Sequence, residues 1–248
     1  AYIRAINYKK RKGFRYGMLP FFSVLGVIAI LMMKQPHLSG TIIICIIGLT
    51  MVFVGGARIK YLVGTGLIAV GGLLALVIYK MTTEGINYFM VRIQSWLHPF
   101  SDSSDKTWQT CQSLIAIGSG GLFGMGLGES RQKYLYLPEA QNDFVFSIVC
   151  EELGLIGAIL VILLFVIFSF RGFYIASKAP DKFGMMLAVG LTAQISIQAI
   201  LNIAVVTNTV PNTGISLPFF SFGGTALAMQ LAQMGVILNI SRQSLVED

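Results

Sequence analysis

Charged residues are scarce in this sequence. Only 12% of its 248 residues are charged, whereas 55% are hydrophobic, and a soluble domain carries about a quarter charged residues. The composition therefore excludes an ordinary soluble fold and is typical of an integral membrane protein. Runs that alternate apolar and polar residues are also missing, which favours a bundle of membrane-spanning helices over a barrel of strands.

Cysteine and histidine are few as well. The three cysteines, Cys45, Cys111 and Cys150, are scattered without a CxxC pair, so the sequence predicts neither a disulfide framework nor a zinc site. The two histidines, His37 and His98, have no carboxylate or second histidine at ligand spacing. The sequence thus gives no evidence of a metal or another cofactor.

Long apolar runs are abundant. A hydrocarbon core of ~30 Å needs about 20 apolar residues in a helix, and six runs qualify. They cover residues 17–33, 40–56, 61–79, 143–170, 184–206 and 222–240. We expect an all-α, polytopic bundle that forms a single membrane domain over residues 1–248, with one long loop at 80–142.

Basic residues lie beside alternate ends of these runs. One side of the predicted membrane holds Arg4, Lys9, Lys10, Arg11, Lys12, Arg15, Arg58, Lys60, Arg171, Lys178, Lys182 and Arg242, and the short loops of the other hold only Lys34. By the positive-inside rule, both ends of the chain are cytoplasmic and the long loop is extracytoplasmic. This distribution indicates contact with membrane lipid and argues against a nucleic-acid partner.

A glycine-rich run follows an apolar stretch inside the long loop. The stretch, "TCQSLIAIGSGGLFGMGLGES", is too short to span a membrane and predicts a re-entrant or half-buried helix that ends at the glycines. No strand precedes it and no Gly-Lys-Ser/Thr ending follows, so nucleotide-binding fingerprints fail. Two interpretations stay open: close packing beside membrane helices, or a backbone cradle for a phosphate formed by Ser119, Gly120 and Gly121.

Acidic residues cluster at the start of the fourth apolar run, in "YLPEAQNDFVFSIVCEELG" (136–154). Asp143 lies where a helix would begin, but Asn142 alone could cap that helix. Charge inside a membrane is expensive, at least ~2.5–3.5 kcal/mol, so such carboxylates are functional or tightly paired. We expect Asp143 to be catalytic, and Glu151 and Glu152 to serve pairing or backbone bonding.

Helical geometry predicts how these residues are arranged. If residues 143–154 form one helix, then Asp143, Ser147 and Gly154 share a face, and Glu152 points nearly opposite. Arg131 and Lys133 precede this helix by about ten residues. They could neutralise an anionic ligand or extend their charged ends to the membrane surface.

Two further segments break helical structure on the predicted outer side. "KQPHLSGT" (34–41) contains His37, and "NTVPNTGISLPFFSFGG" (208–224) contains Pro211 and Gly214. Backbone that is not helical at membrane depth must line a protein cavity or water. We therefore expect these segments and the long loop to converge at one outer vestibule.

The string "QSLIAIGSGGLFGMGLGESRQKYLYLPEAQNDFVFSIVCEELG" resembles the signature of the SEDS family (shape, elongation, division and sporulation), whose members include FtsW, RodA and SpoVE. "GARIK", "QPHLSGT" and "VPNTGISLPFFSFGG" resemble the family's other landmarks in the right order. The resemblance covers essentially the whole chain and favours the division and sporulation types. It implies a ten-span membrane enzyme of which this chain holds the last six spans.

The resemblance also implies an activity. Family members are peptidoglycan glycosyltransferases that polymerise lipid II, a disaccharide-pentapeptide on undecaprenyl pyrophosphate, at the outer face of the bacterial cytoplasmic membrane. They work with a class B penicillin-binding transpeptidase and with other division or sporulation membrane proteins. A lipid II flippase and a non-catalytic scaffold for the transpeptidase are the rival interpretations.

Individual positions carry over from the family's motif. The catalytic aspartate falls on Asp143, the loop acid and base fall on Glu139 and Lys133, and the paired glutamates fall on Glu151 and Glu152. His37 departs from the pattern, because many members have aspartate there.

Glycan elongation needs a base that takes the proton from the acceptor's 4-hydroxyl, and support for the departing pyrophosphate. We expect Asp143 to be that base or to position the hydroxyl. Arg131, Lys133 and the glycine turns would assist the pyrophosphate. A divalent cation there stays an open alternative.

Overall fold

All the regular secondary structure in the part of the chain that the structure describes is α-helical. The computed structural model describes residues 19–34, 38–56, 96–100, 107–135, 137–138 and 140–244, with the single residues Gly64, Gly66 and Gly71. Over these residues there is no strand, and the helices are α1 (Leu19–Lys34), α2 (Leu38–Val54), α3 (Trp108–Ser119), α4 (Gln132–Leu135), α5 (Val145–Ser177), α6 (Lys182–Val206) and α7 (Gly224–Ser244). The expected all-α class is confirmed.

Helices occupy five of the six expected spans, and the third, residues 61–79, lies almost wholly outside the described residues. Among the described helices, α5 and α6 are long and apolar enough to cross a membrane, and α1 and α2 have shorter apolar stretches. The 21-residue α7 is long enough but less apolar, because it contains Gln230, Gln233 and Asn239. The full number of spans stays a prediction.

The chain divides into two compact units. The first comprises residues 1–77, 168–196 and 231–248, and the second comprises residues 78–167 and 197–230. Helices α5, α6 and α7 therefore each contribute residues to both units. The single membrane domain expected from the sequence stays a prediction.

The first unit packs through small residues. A side chain at Gly48 of α2 would lie 2.8 Å from the Leu25 side chain of α1, and one at Gly172 would overlap Thr192. Such close approach is typical of helices packed in membranes. The buried core of this unit consists of Ile175, Ala176, Ala188, Val189, Ile237 and Ile240.

The second unit combines an apolar core with buried hydrogen bonds. Its core residues are Leu137, Ala140, Phe144, Phe146, Ile148, Cys150, Ala158, Val161, Ala199, Val206 and Leu217. The hydroxyl of Ser113 donates to the carbonyl of Val206 at 2.9 Å and lies 2.9 Å from the hydroxyl of Ser147. Both serines are fully buried, so these bonds join α3, α5 and α6 where water cannot replace them.

Helix α5 is interrupted at Gly154. This residue has φ 66° and ψ −165°, a combination that essentially only glycine adopts. The helix begins at Val145, so Asp143 precedes it in a turn. The expectation of one helix from Asp143 through Gly154 is therefore wrong. Within residues 143–154, helical spacing applies only to residues 145–153.

The glycine-rich run, residues 118–128, supplies the hydrogen bonds that this interruption removes. We call this run the glycine loop and residues 151–156 the helix break. Four backbone bonds join them: Leu155 N–H to Gly121 O (2.9 Å), Ile156 N–H to Leu122 O (3.3 Å), Met125 N–H to Glu151 O (2.9 Å) and Gly126 N–H to Glu152 O (3.1 Å). Peptide groups left unpaired inside a membrane cost several kcal/mol each, so the loop stabilises the break.

Candidate active site

Asp143 lies in the turn of residues 140–144 that leads into α5. Three successive carbonyls of this turn accept hydrogen bonds from a later part of the chain. The donors are the Phe222 amide to Gln141 at 2.8 Å, the Ser221 hydroxyl to Asn142 at 2.5 Å and the Asn202 side-chain amide to Asp143 at 2.7 Å. Hydrogen bonds from a later part of the chain therefore hold the backbone that carries the half-buried Asp143 side chain.

The donor segment is itself held in place by side chains of α6. The Asn202 amide nitrogen also donates to the carbonyl of Ile215 at 2.6 Å. One turn earlier in α6, the amide nitrogen of Gln198 donates to the carbonyl of Ser216 at 3.0 Å and to its hydroxyl at 3.2 Å. Side chains of α6 thus replace the hydrogen bonds that this non-helical segment cannot make within itself.

Gly214 lies beside the Asp143 carboxylate. A Cβ atom at Gly214 would lie 3.4 Å from Asp143 Oδ2, and Gly214 has φ +65°. Its N–H donates to the side-chain oxygen of Asn212 at 3.1 Å, and the Asn212 amide donates to Gln109 at 3.2 Å. Pro211 is half-buried and begins the irregular segment that contains Gly214. The structure thus brings Gly214 to Asp143, and the roles predicted for Pro211 and Gly214 stay predictions.

Glu151 is almost completely buried, with 1% of its surface exposed. Its two carboxylate oxygens accept from the Ser130 hydroxyl at 2.5 Å and from the Arg131 backbone N–H at 3.2 Å. The Ser130 oxygen in turn accepts the N–H of Lys133 at 3.1 Å. Glu151 therefore holds the backbone of the segment that carries both predicted basic ligands.

The basic side chains themselves are exposed. Arg131 and Lys133 both face away from the core, and the Lys133 ammonium lies 5.8 Å from the centre of the Tyr134 ring. This exposure leaves both sequence interpretations open, because an anionic ligand and a lipid headgroup are equally able to reach them.

Glu152 differs from its neighbour. It is partly buried, and within the described residues its Oε1 is a buried atom that accepts no hydrogen bond. The structure therefore gives the two predicted glutamates different surroundings, and a role for Glu152 stays a prediction.

Close packing accounts for two glycines of the glycine loop. A Cβ atom at Gly120 would overlap the carbonyl oxygen of Cys150, and one at Gly124 would overlap that of Glu152. The Gly120 N–H donates a hydrogen bond to the Ala116 carbonyl, and the Gly124 N–H donates one to the Gly120 carbonyl. The Ser119 hydroxyl donates to Ala116 as well, at 2.9 Å. The phosphate cradle predicted for Ser119, Gly120 and Gly121 stays a prediction.

Two predicted residues, His37 and Glu139, lie outside the described residues. Among the residues that are described, no group of three His, Cys, Asp or Glu side chains is arranged to hold a metal ion.

Sequence reasoning missed Asn202, Ser221 and Ser130. Asn202 had a signal, since it is a polar residue inside the apolar run "AILNIAVV", and polar side chains at such positions form specific contacts. The two serines had none, because a serine between aromatic residues or before a basic segment is common in a loop.

The fold and the site define a helical membrane protein with a carboxylate held in a turn at the start of a long apolar helix. The chain belongs to the FtsW, RodA and SpoVE family, since the family model described as "Cell cycle protein" matches residues 1–245. The expected resemblance is confirmed.

Named relatives agree with this assignment. The chain is 46% identical over 239 residues to stage V sporulation protein E of Bacillus subtilis (strain 168), covering 95% of this chain and 63% of the relative. It is 38% identical over 251 residues to the probable peptidoglycan glycosyltransferase FtsW of the same organism, covering 97% and 61%. The chain thus spans about three fifths of the length of these relatives.

Solved structures share the fold. A chain of a peptidoglycan synthase complex matches with a TM-score of 0.74 at 21% identity, covering 98% of this chain and 66% of that one. The rod shape determining protein RodA of Thermus thermophilus matches with a TM-score of 0.57 at 24% identity, covering 95% and 61%.

Proposed function

We propose that this chain carries the catalytic part of a peptidoglycan glycosyltransferase that polymerises lipid II during cell division or sporulation. It would lie in the bacterial cytoplasmic membrane with both termini cytoplasmic and its active site at the outer face. Two kinds of observation support this: relatives named FtsW peptidoglycan glycosyltransferase and SpoVE, and the fixed turn that carries Asp143.

The observation that carries the proposal is the surroundings of Asp143. Its backbone is held through three successive carbonyls, and its carboxylate lies next to the exposed Gly214. A general base must lie within hydrogen-bond reach of the hydroxyl it deprotonates. One such carboxylate is enough for a single inverting displacement.

The reaction assigns separate tasks to the remaining residues. Asp143 takes the proton of the acceptor 4-hydroxyl as that oxygen bonds to the donor's anomeric carbon, while the bond to the pyrophosphate breaks. Negative charge then grows on the leaving pyrophosphate, where the exposed Arg131 and Lys133 side chains would stabilise it. Glu151 supports these two residues through the backbone of their segment.

A class B penicillin-binding transpeptidase is the partner that we propose. The similar chain from the peptidoglycan synthase complex belongs to an assembly described as coordinating polymerization and crosslinking. A transpeptidase would crosslink the strands that this chain polymerises.

Polymerisation of labelled lipid II by the full-length protein, purified with its transpeptidase partner, tests the catalytic assignment. We expect Asp143→Asn to lower the rate by about 100- to 10,000-fold, since it removes a general base and keeps the side-chain shape. Glu129→Gln is the matched control, because Glu129 is an exposed acid outside the Asp143 turn. A mutant at Asp143 that forms polymer at the wild-type rate would rule out this role.

The flippase alternative predicts a different result. Leaflet exchange of lipid II in vesicles that contain the protein, without any polymer, would favour transport over catalysis. Polymer formation that is lost with Asp143→Asn while leaflet exchange is unaffected would favour the enzyme.

A further inference from the structure

The side chain of Asn202 connects two separate parts of the candidate site. Its amide nitrogen donates to the carbonyl of Asp143 at 2.7 Å and to the carbonyl of Ile215 at 2.6 Å. Two donors on one planar group therefore tie the Asp143 turn to the segment that contains Gly214.

We infer that Asn202 is a positioning residue for glycan polymerisation, because it sets where the Asp143 carboxylate lies relative to Gly214. This inference rests on the proposed function, in which Asp143 is the base. Asn202 itself does not contact the substrate, since it is fully buried, with 0% of its surface exposed.

Asp143 lies where a bond from another helix can add restraint. Asp143 precedes Val145, the first residue of α5, so the regular hydrogen bonds of that helix do not fix it. The first turn closes between Ser147 N–H and the carbonyl of Phe144 at 3.0 Å, one residue beyond Asp143. The bond from Asn202 restrains the Asp143 peptide directly, because it reaches the carbonyl of Asp143 itself.

Burial gives this bond its strength. Hydrogen bonds in a low-dielectric interior are stronger than in water, and Asn202 is carried by α6, a 25-residue helix. Within the described residues the Asn202 side-chain oxygen is buried without a hydrogen-bond partner. The hydrogen bonds of this amide are therefore made by its nitrogen. An isosteric apolar side chain would remove both donors and this unpaired oxygen together.

Steady-state kinetics of Asn202→Leu in the full-length protein with its transpeptidase partner test the inference. We expect kcat per folded protein to fall by about 10- to 100-fold, since a shift of about 1 Å in a catalytic group has effects of this size. We expect KM for lipid II to stay unchanged, because no contact with the substrate is removed. Asn239→Leu is the matched control, since Asn239 is an exposed asparagine of α7, and it should keep wild-type kinetics.

A double-mutant cycle separates positioning from general damage. If Asn202 acts through Asp143, then Asn202→Leu should cause no further loss of rate in an Asp143→Asn background. The same fold-loss in both backgrounds would overturn the inference, as would a wild-type kcat for Asn202→Leu. If Asp143→Asn alone polymerises normally, the proposed function fails, and the inference falls with it.

Ser221→Ala keeps the test decisive if Asn202→Leu does not fold. It removes the 2.5 Å bond to the neighbouring carbonyl of Asn142 and the acceptor of the Leu217 N–H, and it leaves α6 unchanged. We expect a fall in kcat, again with unchanged KM and again absent from the Asp143→Asn background. A wild-type kcat for folded Ser221→Ala would show that polymerisation does not depend on the Ser221 bond, and it would count against positioning of the turn by external bonds.

Discussion

Alanine substitutions in the glycine loop separate two reasons for a glycine: a positive φ and contact with other backbone. Gly118 has neither constraint, and Gly128 has φ +84° in open space. Gly120 has φ −68°, but a Cβ there would overlap the carbonyl of Cys150. Gly124 combines both, with φ +81° and overlap with the carbonyl of Glu152.

The structure assigns a different magnitude to each substitution. Gly118→Ala lies in α3 and should be neutral or stabilising by about 0.5–1 kcal/mol. Gly128→Ala should destabilise by about 1–2 kcal/mol through its dihedral angle alone. Gly120→Ala must separate the glycine loop from the helix break and weaken four bonds, at about 1 kcal/mol each, or about 2–4 kcal/mol. Gly124→Ala adds both effects, about 3–6 kcal/mol.

Thermal unfolding of the four variants in one detergent measures these differences. For a chain of this size, 1 kcal/mol corresponds to about 2–4 °C in Tm, so Gly120→Ala should unfold about 4–16 °C below wild type. Equal Tm values for Gly120→Ala and Gly118→Ala would refute the assigned backbone contact. Equal values for Gly124→Ala and Gly128→Ala would show that the helix break gains nothing from the loop.

Two further substitutions test individual contacts of the site. Glu151→Ala leaves the Ser130 hydroxyl and the Arg131 N–H without their acceptor, at about 1.5–3 kcal/mol for each bond to a charged group. Hydrogen exchange at residues 129–135 should therefore increase by at least about tenfold. Glu129→Ala is the control, and unchanged exchange in Glu151→Ala would contradict the contact. Gly214→Ala places a methyl group 3.4 Å from Asp143 Oδ2 at φ +65° and should slow polymerisation. Gly223→Ala is the control, because its Cβ would meet only Ala226 at 3.5 Å. Equal polymerisation rates for the two variants would show that the space beside Asp143 is not used.

Local sequence patterns predicted five helices and the non-helical segment that lies beside Asp143. Apolar runs gave five helices near their observed positions, because hydropathy reports directly on segments that avoid water. The proline and glycine content of residues 208–224 indicated non-helical backbone, and the structure places Gly214 of this segment beside Asp143.

Long-range pairing was beyond the reach of the same patterns. The run from Leu153 to Phe168 is continuously apolar, so nothing in it distinguishes a helical Gly154 from one at φ 66°. The partner of Glu151 lies 21 residues earlier at Ser130, and side-chain spacing carries no information about such contacts. Asn202 was overlooked because a single amide hardly lowers the hydropathy of its apolar run.

The distance along the chain between the Asp143 turn and its donors also sets an order of events during synthesis. The glycine loop and the helix break are about thirty residues apart, and both can pair once α5 has emerged. The donors to Asp143 and Asn142 follow 59 and 79 residues later. Because domains form from the N-terminus as the ribosome proceeds, the glycine loop and the helix break pair before the Asp143 turn is complete. A nascent chain that ends before Ser221 therefore lacks a donor to this turn.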